Sequence, residues 1–112
     1  MAGHLGELEQ LLLLGLLRRG GEASGIDLRE ELQDRTGRRV LPGAVYNIME
    51  RLLERDLVEV FFGDEVPERG GRRRKYYRIT RAGERTLADS YRQIERMADG
   101  FAERLRRLAA ES

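Results

Sequence analysis

A chain of 112 residues with a formal charge of +1 makes one domain, or one domain with a long appendage. It has no cysteine, no tryptophan and one histidine, so a disulfide framework, a zinc–thiolate site and a thiol nucleophile are excluded. No stretch reaches the ~20 apolar residues that span a bilayer, and the leucine run lacks the basic start and small-residue cleavage site of a secretory signal. A cytoplasmic protein with no cofactor, no metal, no membrane segment and no enzymatic activity is expected. His4, near the terminus, reads as a surface residue.

Leu5 to Arg19 is predicted to be the first helix, with Leu5, Leu8, Leu12, Gly15 and Leu16 on one face. Leu11, Leu13, Leu14 and Leu17 make its middle apolar on nearly all sides, which in so small a chain points to a second subunit. Gly20 and Gly21 stop it. Ser24 or Gly25 opens a second helix to about Arg35, with Leu28 and Leu32 toward the core and Ile26 near its start; Gly37 closes it. Arg38 to Leu41 is a short connection. Pro42 then begins a third helix, where proline is favoured at the first helical position. Val45, Ile48, Met49 and Leu52 form its buried stripe. Gly43, Asn47, Glu50 and Glu54 point the other way, Tyr46 and Arg51 lie on the flanks, and Asp56 marks the exit.

Leu57 to Phe62, rich in β-branched and aromatic residues, is predicted to be a strand. Gly63 to Arg73 is a turn-rich connection, and Arg74 to Ile79 is the returning strand. The loop between them is longer than a tight hairpin needs and suggests a projecting wing. Net charge is nearly balanced, so any basic function must come from how charge is distributed. Arg69 to Thr80 carries Arg69, Arg72, Arg73, Arg74, Lys75 and Arg78 without an acid. Asp64, Glu65 and Glu68, with no apolar setting to shift a pKa, read as solvated. Thr80 is a good N-cap for one final helix from about Arg81 to Ala110. Within it Leu87, Tyr91, Ile94, Ala98, Phe101, Leu105 and Leu108 alternate spacings of four and three, a coiled-coil seam of about three heptads. At 1.5 Å per residue this helix would be about 45 Å long, too long for the small domain to cover.

The expected fold is therefore mostly α with a small β-hairpin: a winged helix-turn-helix over residues 1–80 and a dimerisation helix over residues 81–112. In such a domain the second helix of the pair enters the major groove and its N-terminal residues meet base edges. Gly43, Tyr46, Asn47 and Arg51 are the candidates on that helix, with Arg38 and Arg39 in the turn before it. Asn47 has the amide that pairs bidentately with adenine. Arg72, Arg73, Arg74 and Lys75 on the wing would neutralise phosphates. Glu50 is awkward beside DNA. It is expected to pair with a nearby arginine or to accept from a cytosine amino group. The expected dimer interface comprises Leu11, Leu14, Leu87, Tyr91, Ile94, Ala98, Phe101, Leu105 and Leu108.

The segments LGELEQLLLLGLL, REELQDRTGRRV, PGAVYNIMERLLERDLVE and ERGGRRRKYYRITRAG resemble the PadR family of bacterial winged-helix transcriptional regulators, over about residues 5 to 85. The wing with Tyr76 and Tyr77 and the helix with Tyr46 carry most of the resemblance. It implies a homodimer joined through the first and last helices, a repressor role, and the subfamily with one short C-terminal helix. It also implies a small aromatic effector at the dimer interface, where Tyr91 and Phe101 could line an apolar pocket. The chain departs from the family pattern at four positions. Leu41 replaces a capping serine, Asn47 a proline, Asp56 an exit glycine and Ile26 a tyrosine. A reading of another class competes: a winged-helix interaction module whose basic wing binds an acidic protein partner. Small and amide residues at the start of the third helix favour DNA, because an interaction module has no need of them.

Overall fold

Leucines of the first helix, the apolar stripe of the third and a small sheet share one core in the computed structural model, which describes residues 4–65 and 73–111. The chain runs α1 (Glu7–Arg18), β1 (Glu22–Ser24), α2 (Gly25–Thr36), α3 (Pro42–Glu54), β2 (Val58–Glu65), β3 (Arg73–Ile79), α4 (Arg81–Ala98) and α5 (Ala102–Ala110). The core joins Leu12, Leu13 and Leu16 of α1, Leu28 and Leu32 of α2, and Val45, Ile48, Met49 and Leu52 of α3. Val58, Tyr77 and Ile79 close it from the sheet. All four residues predicted for the α3 stripe are buried. Leu13, read as available to a second subunit, belongs instead to this core. Leu14 and Leu17 remain exposed.

The helix starts follow local chemistry. Ser24 caps α2: its hydroxyl accepts from the Asp27 N–H at 3.1 Å, while the Asp27 carboxylate accepts from the Ser24 N–H at 3.2 Å. Leu41 precedes α3 without a side-chain cap, and Pro42 sits in the first turn. Its fixed φ and missing N–H suit that place. Asp56, after α3, is the one non-glycine residue at positive φ (59°) among the described residues. Its carbonyl accepts from the Thr80 hydroxyl at 2.7 Å, tying the end of the sheet back to the end of α3.

The sheet has three strands in the order β1-β3-β2, all antiparallel. β1 is absent from the sequence-based expectation. Three residues carry no alternation to read, and Glu22, Ala23 and Ser24 become a strand by pairing with Arg78, Tyr77 and Tyr76. On β2, Val58 faces Ile79 and Val60 faces Tyr77, with an irregularity in register between Phe62 and Glu65. The wing tip, with Arg69, Gly70, Gly71 and Arg72, lies outside the described residues.

The single final helix is corrected. The backbone leaves helical geometry at Asp99 (ψ 129°) and turns at Gly100 (φ 88°), so α4 and α5 are separate helices. A left-handed glycine ends a helix readily because it has no Cβ to clash. The seven-residue seam is therefore not one continuous stripe. Leu87 is buried in the chain's own core, and Phe101 stands at the corner before α5. Thr80 caps α4 as predicted, accepting from the Gly83 N–H at 3.0 Å. Gly83 itself permits close packing: a Cβ there would lie 2.1 Å from the Leu57 carbonyl oxygen. Among the described residues no helix is long and apolar enough to cross a membrane.

Candidate nucleic-acid interface

The core stripe of α3 fixes which side chains the helix presents outward. With Val45, Ile48, Met49 and Leu52 buried, Gly43, Tyr46, Asn47 and Arg51 are left exposed together. A helix buries one stripe and displays the opposite one, so these residues form one surface. Nothing lies within 4 Å of where a Gly43 Cβ would be, so the backbone there is open to close approach. The turn before α3 is braced from α2: Arg29 Nε donates to the Val40 carbonyl at 2.9 Å. The sequence offers no sign of this role, because α2 is charged throughout and nothing distinguishes one arginine from its neighbours. Thr36 supports the same turn, its hydroxyl accepting from the Arg38 N–H at 3.1 Å.

The basic candidates divide into three groups. Arg39, Arg51 and Arg73 are exposed. Arg38 is exposed too, but its guanidinium pairs with Glu7. Arg72 lies outside the described residues. Arg74 and Lys75 are drawn inward at the root of the wing. Among the described residues the buried Arg74 Nε has no hydrogen-bond partner, and it borders a cleft of about 230 Å³ lined by Ile26, Arg29, Tyr46 and Tyr77.

Lys75 departs most from expectation. Its ammonium lies 3.3 Å from the Glu50 carboxylate, 5.1 Å from the Tyr46 ring centre and 5.3 Å from the Tyr77 ring centre. Glu50 is thus paired across to the wing strand with the chain's only lysine, not with an arginine. Burial works to lower the Lys75 pKa, but the neighbouring Tyr77 and Glu50 outweigh it and the net shift is upward. Near neutral pH, where a tyrosine carries no charge, Glu50 supplies that attraction. Tyr77 is pushed up mainly by burial, against the opposing pull of Lys75.

The other face of the hairpin is built for rigidity. Phe61 and Tyr76 stack with ring centres 5.2 Å apart. The Arg78 guanidinium lies 4.3 Å from the Phe61 ring centre and bridges Glu22 at 3.1 Å and Glu59 at 3.4 Å. One arginine thereby links all three strands.

A helix-turn-helix with an exposed polar face on its second helix, followed by a basic two-stranded wing, is the architecture of a winged-helix regulator. The sequence profile of the "Transcriptional regulator PadR-like family" matches residues 13–89, most of the chain. The chain belongs to this PadR-like family. It is therefore a transcriptional regulator of the DNA-binding, winged-helix kind, as the resemblance in its sequence implied. A PadR family regulator from Eggerthella lenta is 30% identical, with a TM-score of 0.67 over 88% of this chain and 86% of that one. An uncharacterized protein of Lysinibacillus sphaericus is 27% identical over 105 residues, 89% of this chain and 92% of the relative. The Bacillus subtilis PadR, solved in complex with operator DNA, shares the fold at 22% identity and a TM-score of 0.61, covering 74% of this chain and 46% of that one.

Proposed function

We propose that this PadR-like protein acts in the cytoplasm as a homodimeric repressor, laying α3 of each copy in the major groove of an operator and its wing along the phosphates. The observation that carries this reading is the face of α3. Its opposite side is locked into the core, while Gly43, Tyr46, Asn47 and Arg51 stand exposed at one surface. Asn47 would read adenine, with Tyr46, Arg51, Arg38 and Arg39 supporting. Arg73, with Arg72 and Arg74, would supply position and affinity from the wing. The Bacillus subtilis PadR, which shares the fold, was solved in complex with operator DNA, which supports DNA as the partner.

The homodimer rests on the exposed apolar face of α4 and α5. Tyr91, Ile94, Phe101, Leu105 and Leu108 are each between 51% and 56% exposed, a density of large apolar side chains that marks an association surface. Leu11 and Leu14 of α1 and Ala98 of α4 would join them. Leu87, committed to the chain's own core, would not. Two such domains would meet half-sites about 34 Å apart. A small aromatic effector would find Tyr91 and Phe101 at that interface. A thermal-shift screen of aromatic compounds should raise the melting point for a binder, and an unmoved midpoint across the library argues against an effector.

Selection of bound DNA from random sequence, followed by gel shifts, tests the proposal. Asn47→Ala should cost about 1–3 kcal/mol on the preferred sequence and relax the choice at one position of each half-site. Arg73→Ala should weaken all DNA alike and flatten the salt dependence, by about 0.9 in the log–log slope for each phosphate no longer neutralised. No shift with any fragment at low salt would refute the reading.

A further inference from the structure

We propose that Lys75 is a positioning residue: it neutralises Glu50 and steadies Tyr46 from the wing strand, so that α3 meets DNA without a free carboxylate beside Asn47. This rests on the DNA-binding reading and assigns Lys75 a role different from that of the arginines beside it. Glu50 lies three residues from Asn47 and four from Tyr46, which places all three on neighbouring positions of one helix face. An unpaired carboxylate there would sit beside incoming phosphates, and like charges opposed across an interface repel strongly enough to reject a partner.

The Lys75 surroundings answer that problem. Its ammonium is 3.3 Å from Glu50, and both side chains are about one-third exposed (34% and 31%). It stands between the Tyr46 and Tyr77 rings at 5.1 and 5.3 Å, and a cation near ring faces is attracted by their quadrupoles. Reaching outward to a phosphate would give up all three interactions. The backbone position is fixed too, because Lys75 is paired with Phe62 in the β2–β3 ladder. A compact ammonium on a long apolar stem fits this slot between two rings. Every other basic residue of the chain except His4 is an arginine, with a broader planar head. The pairing also ties the root of the wing to α3.

The test is a double-mutant cycle with Lys75→Met, Glu50→Gln and the pair, read by fluorescence anisotropy on the selected operator over a salt series, with thermal melts alongside. Lys75→Met should weaken binding about tenfold while leaving the salt slope unchanged, because Lys75 neutralises no phosphate. Glu50→Gln should bind at least as well as the parent and steepen the slope by up to about 0.9, since the ammonium is released. The double variant should return to within about threefold of the parent. Equal losses from Lys75→Met in both backgrounds, or a slope that falls by about 0.9 on that change, would overturn the assignment. If Lys75→Met does not fold, the Glu50→Gln arm decides: a steeper slope supports the pairing and an unchanged slope overturns it. Failure of the parent protein to bind any DNA would overturn the DNA-binding reading and this assignment together, whereas failure of the cycle alone leaves the former standing.

Discussion

The head, from α1 to β3, and the arm, α4 and α5, carry similar apolar periodicity and end in opposite states. In the head Leu12, Leu13, Leu16, Met49 and Leu52 are essentially inaccessible to water. In the arm α5 buries nothing, and the large apolar side chains from Tyr91 to Leu108 are half exposed or more. The physical cause is geometry. Helices and a sheet surround the head's apolar stripes, whereas among the described residues nothing after Leu87 joins that core. A stripe states that a face needs cover, but not whose cover it receives. The head's stripes are satisfied within one chain, and the arm's are left half open by it.

The largest expected effect tests the head. Leu52→Ala, at a site with no exposure, should destabilise the fold by about 2–5 kcal/mol in urea titration, through reduced burial and the cavity left behind. A cost below about 1 kcal/mol would mean that the head is far less tightly packed than its burial implies. Next in size, Leu105→Glu should leave the head folded but shift sedimentation toward monomer. It should raise the dimer dissociation constant by about tenfold or more, equivalent to ~1.4 kcal/mol. It should also make the melting point less dependent on protein concentration. If Leu105→Glu melts like Leu52→Ala at every concentration, the contrast between head and arm collapses.

The smallest effect sharpens the comparison from the surface of the head. Glu31 on α2 pairs with Arg19 at 2.9 Å, Arg35 at 3.2 Å and Arg18 at 3.5 Å, holding α1 to α2. The hydrogen bond from Arg19 leads in drawing its pKa below the ordinary value of 4.5, with Arg35 assisting and partial burial opposing. A carboxylate whose folded pKa is depressed adds stability above its unfolded pKa and loses it as pH falls through the folded one. Glu31→Gln should therefore lower the melting point slightly at pH 7, and the two proteins should converge as the pH falls from the ordinary value of 4.5 through the depressed folded one. A constant difference across that range would show that the ion pairs contribute nothing pH-dependent.

Legibility follows the range of the interactions involved. The α3 stripe, the Ser24 and Thr80 caps and the paired strands rest on spacing and on neighbours a few residues away, and they are readable in the residues. The β1 strand is not, because three residues become a strand only when β3 lies beside them. The break at Gly100 is hidden because the heptad spacing runs through it, and a lone glycine in a helical pattern is tolerated at a cost of only about 1 kcal/mol. At the interface, the exposed set of Tyr46, Asn47 and Arg51 follows from the α3 stripe. Lys75, in contrast, looks like one more cation in a basic run.

Residue order alone therefore sets the winged helix-turn-helix arrangement, the outward face of α3 and the apolar face of the last segment. Each depends on periodicity and local capping, which are properties of short stretches of chain. The assembled fold adds that Leu13 and Leu87 serve the chain's own core and that the arm is two helices. It also pairs Lys75 on the wing with Glu50 on α3, across 25 residues. Those outcomes depend on which surfaces the completed fold brings within a few ångströms of one another, and no local pattern encodes that distance.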